Sequence, residues 1–456
     1  MPKRLSKFTH VVQINKNIFA LFNSLWLRVL FFDKNLLPFV DRLIKGLEAN
    51  EAINALDVSM KTEGEKLLSQ MLLEKYFEPE MDASKLLEIA DLLAYSQISV
   101  MYLMVTNECN LACSYCYLSD ALWRGPTRIM NVDTARRAIN LFADIVTQHK
   151  IDHPQIIFYG GEPLLNKELL KFALEYATPK INGIEFMLNT NGTKIDSDIA
   201  KILRDYNVNV SLSIDGPKDI HDKSRLDRGG QETFGHVVDG YRILRENGVN
   251  AGVSCTLTRE NIPVLAEVTR WLIEDLNVPS LGFNIMIGDL GTHEYTEKYA
   301  QDAADALIEA FKIARGHGVY EDRVMRLVGA LSDGQIRLND CAGCGQQIVI
   351  TPDGQIGVCQ AFMNTGQNFF PLDMVEDLTH HNLWATWRKR SPFNIPECLK
   401  CECLGICGGG CPYNSLLRCG DIMKPDTVHC VHAKKTLHFL LTDLWEMVSL
   451  RETEKR

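Results

Sequence analysis

Three cysteines on one short stretch are the residues of this sequence best suited to chemistry. Cys109, Cys113 and Cys116 follow the pattern Cys-x3-Cys-x2-Cys, and an aromatic residue, Tyr115, precedes the last of them. Three thiolates on one loop can hold three irons of an iron–sulfur cubane and leave the fourth iron without a protein ligand. An open coordination position is typical of a catalytic metal site, whereas structural sites are usually closed. A zinc knuckle completed by a distant residue is the alternative that these cysteines alone leave open.

Eight further cysteines lie close together in the C-terminal third of the chain. They form the patterns Cys344-x9-Gly354-x4-Cys359 and Cys398-x2-Cys401-x5-Cys407-x3-Cys411, with Cys430 after them and Cys341 before them. The three glycines beside Cys411 allow the backbone to wrap closely around sulfur and to offer it N–H donors. A zinc ribbon explains any one Cys-x2-Cys pair, but not all eight cysteines in this order alongside the first three.

Three cysteines remain outside both groups. Cys255 lies in a strand pattern, which predicts a place in the core rather than a ligand. Cys403 and Cys419 lie near the C-terminal group, and the sequence assigns them no role.

The bulk composition excludes several classes of function. A chain of 456 residues is long enough for two or three domains. Its formal net charge of -10 argues against a nucleic-acid-binding surface. Fourteen cysteines without a secretory signal favour metal ligation over disulfides. The apolar stretch from Ile18 to Phe32 contains Arg28 and is too short to span a bilayer, so we expect a cytoplasmic protein with no membrane partner.

Alternating strands and helices are predicted from residue 100 onward. Apolar runs predict strands at 100–105, 155–159, 184–188, 208–214, 251–257 and 281–286, with helical periodicity between them. Six such βα repeats predict an α/β fold, a partial (β/α)6 TIM-like barrel with its ligands at the carboxyl ends of the strands. The first cysteine loop directly follows the first of these strands, so we expect the chemistry there.

The two ends of the chain are predicted to be separate modules. Residues 10–32 are predicted to form three short strands and residues 36–77 helices, an order that fits a winged-helix-like module; a generic cap on the barrel is the alternative. From about residue 335 the regular alternation stops, and an amphipathic helix is expected at 433–450. We therefore predict domains at 1–95, 96–334 and 335–432, followed by a C-terminal helix at 433–456.

Polar turns follow the predicted barrel strands. These turns are Gly160-Gly161-Glu162-Pro163 after the second strand, Thr190-Asn191-Gly192 after the third, and Ser213-Ile214-Asp215 after the fourth. His221 and Arg225 lie in the loop beyond. Ordinary tight turns or a solvated loop explain part of this pattern, and a second reason is needed to assign it to a ligand.

These motifs together resemble the radical S-adenosylmethionine (SAM) enzymes over roughly residues 100–430. The resemblance implies that the open iron of a cluster on Cys109, Cys113 and Cys116 chelates SAM. It also implies SAM contacts for Tyr115, Gly160, Gly161, Glu162, Asn191, Ser213, Asp215 and Arg225. The C-terminal cysteines resemble the SPASM domain, which holds two auxiliary [4Fe–4S] clusters. By the family's interleaved pattern, Cys341, Cys344, Cys359 and Cys411 would bind the first auxiliary cluster, and Cys398, Cys401, Cys407 and Cys430 the second.

The resemblance also implies a reaction. A reduced cluster splits SAM into methionine and a 5′-deoxyadenosyl radical, which removes a hydrogen atom from a substrate. Fully ligated auxiliary clusters favour a net oxidation such as cross-linking, because they can accept the second electron; a first auxiliary cluster without Cys341 could instead bind a substrate thiol. The N-terminal module resembles the leader-binding domain of enzymes that modify ribosomally made peptides. A flavodoxin or ferredoxin reductant follows from the family resemblance.

Several products and classes stay open at this point. A peptide maturase that forms a thioether or a carbon–carbon cross-link is the main expectation, and epimerisation or backbone excision are alternatives. A sulfatase-type maturase is less favoured, because that branch has an aspartate base directly after the cysteine of the Gly-x4-Cys element, where this chain has Gln360. A quinone-cofactor maturase would share every motif, and a non-enzymatic iron–sulfur electron carrier would not cleave SAM. No catalytic acid or base is identified.

Overall fold

A computed structural model describes residues 4–77, 79–119, 122, 126–287, 297–374, 378 and 381–454. The chain divides into two compact units. Unit 1 contains Met1–Tyr95, Val324–Cys341 and Arg390–Arg456, and unit 2 contains Ser96–Arg323 and Ala342–Lys389. Unit 2 contains the first cysteine loop, and unit 1 contains the N-terminal module and the last cysteines.

A ten-stranded sheet forms the centre of unit 2. Its strand order is β10-β9-β8-β7-β6-β5-β4-β11-β12-β13. The strands are β4 (Val100–Thr106), β5 (Gln155–Gly160), β6 (Glu185–Thr190), β7 (Asn209–Ser213), β8 (Ala251–Leu257), β9 (Ser280–Ile285), β10 (Tyr320–Glu321), β11 (Gln347–Ile350), β12 (Gln355–Gly357) and β13 (Phe369–Pro371). Strands β4 to β10 are parallel to one another, and β11 pairs in parallel with β4. The carboxyl ends of these strands therefore meet at one edge of the sheet.

Amphipathic helices connect the parallel strands. They are α5 (Val132–His149), α6 (Lys167–Ala177), α7 (Ser197–Asp205), α8 (Lys218–Ser224), α9 (Phe234–Glu246), α10 (Leu265–Glu274) and α11 (Glu297–Gly316), with α12 (Asp322–Asp333) and α13 (Asn382–Arg388) later in the chain. Side-chain caps begin two of them: Asn131 accepts from the Thr134 amide, and Asp196 accepts from the Ile199 amide. The predicted mixed α/β fold with a large parallel sheet, and each of its six predicted strands, is confirmed.

Strands β11 to β13 were not predicted. They extend the parallel sheet beyond β4, and a turn between Thr351 and Gln355 joins β11 to β12 as a hairpin. Its sequence, Pro352-Asp353-Gly354, is a recognisable turn signal, and Gly354 has a φ of +79° that a non-glycine residue rarely adopts. The sequence did not predict this hairpin, because its apolar runs are short and lie among many cysteines and glycines.

Unit 1 begins with an antiparallel sheet of β1 (Thr9–Gln13), β2 (Ile18–Asn23) and β3 (Arg28–Asp33), in that order. Four helices follow: α1 (Leu37–Ile44), α2 (Ala49–Asn54), α3 (Lys61–Leu73) and α4 (Pro79–Ala94). The predicted order of three strands and then helices is therefore confirmed. Helices α14 (Pro412–Cys419) and α15 (Thr427–Glu454) belong to the same unit, and α15 begins earlier than the predicted residue 433.

The N-terminal module and the late cysteine-rich segment share a core within unit 1. Phe8, Leu25 and Ile89 pack in one buried apolar cluster with Ile395 and Cys398. The late segment is therefore packed against the first 95 residues, whereas the sequence had assigned the two to different domains. The predicted boundaries after residues 334 and 432 stay predictions. None of the described helices is long and apolar enough to cross a membrane.

Candidate active site

The first cysteine loop begins where β4 ends and is held to the end of β5 by backbone hydrogen bonds. The Gly161 amide donates to the Thr106 carbonyl at 2.9 Å, and the Glu162 amide donates to the Glu108 carbonyl at 2.8 Å. A Cβ on Gly161 would lie 2.0 Å from the Glu108 oxygen, so only glycine permits this approach. The turn that was predicted to contact a ligand thus also positions the loop that carries Cys109.

The three loop cysteines lie in an apolar environment. Cys109 is buried with Met104, Leu111 and Leu118, and Cys113 and Cys116 pack partly against the same cluster. Burial raises the pKa of Cys109 to about 12 and that of Cys116 to about 11. Burial also raises the pKa of Cys113, and the Arg225 guanidinium opposes that rise. Metal-bound cysteines are deprotonated, so iron would have to displace these protons, as soft thiolate sites commonly require.

A buried charged cluster lies beside the loop. The Tyr115 hydroxyl donates to Asp215 Oδ2 and accepts from Arg225 Nη1. Arg225 and Asp215 form an ion pair at 3.8 Å with both side chains nearly inaccessible, and the Thr256 amide donates to Asp215 Oδ1 at 3.0 Å. Both Asp215 oxygens thus have donors within the protein, while Arg225 Nε is buried without a hydrogen-bond partner. The cluster fixes Tyr115 between a carboxylate and a guanidinium.

A second carboxylate, Glu162, connects the turns that follow β5 and β6. It is fully buried and accepts from the Thr190 hydroxyl at 2.7 Å, the Asn191 amide at 2.8 Å and the Leu164 amide at 3.0 Å. Burial raises its pKa, and these three donors oppose the rise. Asn191 in turn donates to the Asn110 side chain of the cysteine loop at 3.1 Å. Glu162 and Asn191 therefore fix the loop and the neighbouring turns relative to one another.

The end of β7 completes this edge of the sheet. Ser213 is its last residue and lies partly buried opposite Ser254 of β8. The Asp215 amide donates to His221 Nδ1 at 3.4 Å, and burial together with Arg225 lowers the pKa of His221 to about 3, so the ring is neutral. Cys255 is fully buried next to the Asp215 carbonyl, as its strand pattern predicted. The structure thus brings all eight predicted SAM-contact residues to the carboxyl ends of β4 to β7.

A tyrosine pair lies near Cys116 and packs against the same apolar cluster as the loop cysteines. The hydroxyls of Tyr117 and Tyr159 are 3.0 Å apart, and the side-chain amide of Gln360 also bonds Tyr117. Gln347 donates to Gln360 Oε1 at 3.3 Å. Burial raises the pKa of both tyrosines, and the nearby Cys359 thiol adds to the rise, so both hydroxyls are neutral. The Gln360 side chain is therefore hydrogen-bonded to both Tyr117 and Gln347. Its position is the one at which sulfatase-type enzymes have an aspartate.

In unit 1, four of the late cysteines lie close enough to influence one another electrostatically. Burial raises the pKa of Cys398 to about 11 and that of Cys430 to about 12, and the Cys401 thiol contributes to both rises. Burial also raises the pKa of Cys407. A hydrogen bond from Cys403 lowers the pKa of Cys401 to about 6. These are the four cysteines that the family pattern assigns to the second auxiliary cluster.

The other predicted set is divided between the two units. Cys341 and Cys411 belong to unit 1, whereas Cys344 and Cys359 belong to unit 2. Their joint role therefore stays a prediction. Within the described ranges, no three His, Cys, Asp or Glu side chains converge on a position for a single metal ion. A cubane spreads its four protein ligands over four irons, so its thiolates lie farther apart than those around one ion.

Several residues of these sites were missed from the sequence. Tyr117 and Tyr159 carry no motif of their own, since an aromatic residue beside a strand end is usually core. Asn261 was also not identified; it donates to the carbonyls of Asp215 at 3.2 Å and Thr256 at 2.8 Å. Polar residues that directly follow strands were the available signal, which identified the turn at Thr190 but none of these three residues.

This chain is similar to a known family and to several known proteins. The profile of the family described as the Radical SAM superfamily matches residues 103–276. The radical SAM cyclopropyl synthase TigE of Paramaledivibacter caminithermalis is 23% identical, over 93% of this chain and 93% of TigE. The cysteine-type anaerobic sulfatase-maturating enzyme of Clostridium perfringens is 27% identical, over 69% of this chain and 88% of that enzyme. The structure of Streptococcus suis SuiB bound to precursor peptide SuiA is similar in fold, with a TM-score of 0.52 and 15% identity over 94% of this chain and 99% of SuiB.

Proposed function

We propose that this chain is a radical SAM enzyme, with its radical SAM domain at residues 103–276, and that it cross-links a ribosomally made precursor peptide. The observation that carries the proposal is the likeness to TigE, which covers 93% of both chains and so includes the N-terminal module and the late cysteines. A cyclopropyl synthase closes a carbon ring. Of the two expected products, the likeness therefore favours a carbon–carbon bond over a thioether.

We propose three [4Fe–4S] clusters as cofactors together with SAM. Cys109, Cys113 and Cys116 would hold the first; Cys398, Cys401, Cys407 and Cys430 one auxiliary cluster; and Cys341, Cys344, Cys359 and Cys411 the other. The donor set fits, because each site offers soft thiols in buried or partly buried surroundings. When bound, these groups supply the 5′-deoxyadenosyl radical and an acceptor for the second electron that a cross-link releases.

The residues of the chain itself would orient SAM and exclude water. Gly160 and Gly161 allow the end of β5 to pack directly against the backbone of β4 and the cysteine loop, and Glu162 and Asn191 fix the turns around it. Arg225 brings a buried positive charge and one unpartnered N–H to the same place, which suits an anionic group such as the SAM carboxylate. Asp215 holds Arg225 and Tyr115 in position through the contacts described above.

The N-terminal sheet supports a peptide substrate. Among the described strands, β1 and β3 each pair only with β2, so each has one edge to which an extended peptide could add as a further strand. SuiB, a structure of similar fold, was solved with its precursor peptide. We propose that residues 1–95 bind the leader of the precursor. A flavodoxin or ferredoxin would supply the first electron, and the free thiols suit the reducing cytoplasm.

Gln360 separates this function from sulfatase maturation. A glutamine cannot take up a proton near neutral pH, and here its side chain already bonds Tyr117 and Gln347. A cross-linking reaction would need another proton acceptor, such as a group of the substrate or a water molecule. The C. perfringens relative matches over a smaller part of this chain than TigE does.

Co-expression with a candidate precursor tests the proposal. A short peptide encoded beside the gene is produced with the enzyme under anaerobic conditions and analysed by mass spectrometry. We expect the loss of two hydrogens in the core of the peptide, dependent on Cys113 and unaffected by Cys419→Ser, which changes an exposed cysteine outside all three sets. An unchanged mass with deuterium uptake from heavy water would indicate epimerisation, and a large mass loss would indicate excision; either result would refute cross-linking.

A further inference from the structure

Arg390 is a buried cation whose hydrogen-bonding capacity is only partly used. It is 1% exposed. Its Nη2 donates to the Gly409 carbonyl at 2.7 Å and to the Ser415 hydroxyl at 3.1 Å. Its Nε and Nη1 are buried and have no hydrogen-bond partner. Within the described part of the chain, Arg390 forms no ion pair with a carboxylate. A buried, unpaired guanidinium is costly, which indicates that an anion belongs beside it.

The surroundings of Arg390 show where that anion would lie. The Gly409 amide donates to Cys407 Sγ at 3.3 Å, and a Cβ on Gly409 would come within 3.0 Å of Arg390 Nη1. Gly409 therefore contacts both the Arg390 guanidinium and the Cys407 sulfur, and a larger residue there would crowd Nη1. Arg390 thus lies at the edge of the group formed by Cys398, Cys401, Cys407 and Cys430.

We propose that Arg390 donates its free N–H groups to the sulfur atoms of the auxiliary cluster held by these four cysteines and raises the reduction potential of that cluster. The inference rests on the proposed cluster site. A four-thiolate [4Fe–4S] cluster is an anion in both oxidation states, and its reduced state carries one more negative charge. A buried cation beside it stabilises the reduced state more, and hydrogen bonds to sulfur act in the same direction.

A second cation near the same cysteines offers a matched comparison. Lys434 follows Cys430 by four residues in helix α15, which places both on the same face of the helix, and the Lys434 side chain is exposed. Water screens an exposed charge far more strongly than a buried one. The two residues therefore carry the same charge near the same thiols, and burial is what distinguishes them. Arg390 should dominate the potential of this cluster.

The test measures the reduction midpoint potential of each cluster by EPR-monitored redox titration of the reconstituted holoenzyme. Arg390→Met should lower the midpoint potential of one auxiliary cluster by at least about 59 mV. For a one-electron couple, this shift is a tenfold change in the reduction equilibrium. Lys434→Gln should change that equilibrium less than threefold, and the SAM-binding cluster should be unchanged in both variants. An Arg390→Met enzyme that contains full iron and has unchanged potentials overturns the inference.

Arg390→Lys decides the case if Arg390→Met does not assemble the cluster. A lysine keeps the positive charge. Full iron content in Arg390→Lys, with a midpoint potential close to that of the wild type, therefore supports the inference. Loss of the cluster in Arg390→Lys as well overturns it, because a retained positive charge would then not be what the site requires. Absence of any signal from this cluster in the wild-type enzyme would instead refute the proposed cluster site.

Discussion

Replacing Gly161 by alanine should displace the first cysteine loop. The added Cβ would lie 2.0 Å from the Glu108 oxygen, 2.4 Å from the Glu108 carbonyl carbon and 2.9 Å from the Cys109 nitrogen, all of them backbone atoms. Ordinary contact begins near 3.4 Å, so the Glu108 carbonyl would have to move by about 1.4 Å. That movement strains the hydrogen bonds from Gly161 to Thr106 and from Glu162 to Glu108.

The expected cost combines overpacking with weakened hydrogen bonds. Overpacking of a tight site costs about 1–3 kcal/mol, and each hydrogen bond contributes about 1 kcal/mol, so we expect a loss of roughly 2–4 kcal/mol. For a unit of this size the melting temperature should fall by about 5–10 °C. A displacement of this size at a catalytic loop costs on the order of 100-fold in rate. SAM cleavage by the dithionite-reduced variant should fall accordingly.

Gly235→Ala is the matched control. Gly235 lies in helix α9 of the same unit, and an added Cβ there would meet open space. Alanine is a better helix former by up to about 1 kcal/mol, so this variant should melt at the same or a higher temperature and cleave SAM at the wild-type rate. The assay is anaerobic thermal unfolding together with chromatographic measurement of 5′-deoxyadenosine. If Gly161→Ala matches Gly235→Ala in both measurements, the turn at Gly161 does not position the cysteine loop.

Three further predictions concern single side chains. Asp215→Asn leaves the buried Arg225 without its counter-charge, so the melting temperature and SAM affinity should both fall, with a stability loss of about 3–5 kcal/mol; unchanged calorimetric values would contradict this. The pKa of His221 is lowered to about 3, so below pH 6.5 the unfolded chain binds a proton that the folded chain does not. The free energy of unfolding should then fall by up to about 1.4 kcal/mol per pH unit between pH 6.5 and 5. His221→Asn should reduce this pH dependence. An equal pH dependence in the wild type and in His221→Asn would contradict the prediction. Cys403→Ala should keep the full iron content, whereas Cys401→Ala should lose about four irons per chain. An equal loss of iron in the two variants would show that Cys403 is also a cluster ligand.

The sequence predicted the parts of the fold that repeat. Six strands with helices between them follow from apolar runs and helical periodicity, because each βα unit buries its strand on both faces. The short strand β11 did not follow, since four residues among cysteines and glycines carry too little periodicity. The shared core of Phe8, Leu25 and Ile395 was also out of reach, because it joins segments nearly 400 residues apart.

The candidate site was predictable where residue type and position coincide. The polar turns after β5, β6 and β7 were identified because parallel strands bring their carboxyl ends together. The sequence predicted that Glu162 and Asp215 contact SAM. It did not show that both carboxylates accept hydrogen bonds within the protein, because the donors Thr190 and Thr256 belong to other strands. Arg390 was missed because a lone arginine in a sequence is ordinarily a solvated side chain.

Simultaneous measurement of 5′-deoxyadenosine and of the peptide mass tests the proposed function most directly. The reconstituted enzyme is incubated anaerobically with SAM, a one-electron reductant and the candidate precursor peptide. We expect one 5′-deoxyadenosine for each peptide that loses two hydrogens, and neither product with Cys113→Ser. Formation of 5′-deoxyadenosine while the peptide loses no hydrogen would contradict this expectation.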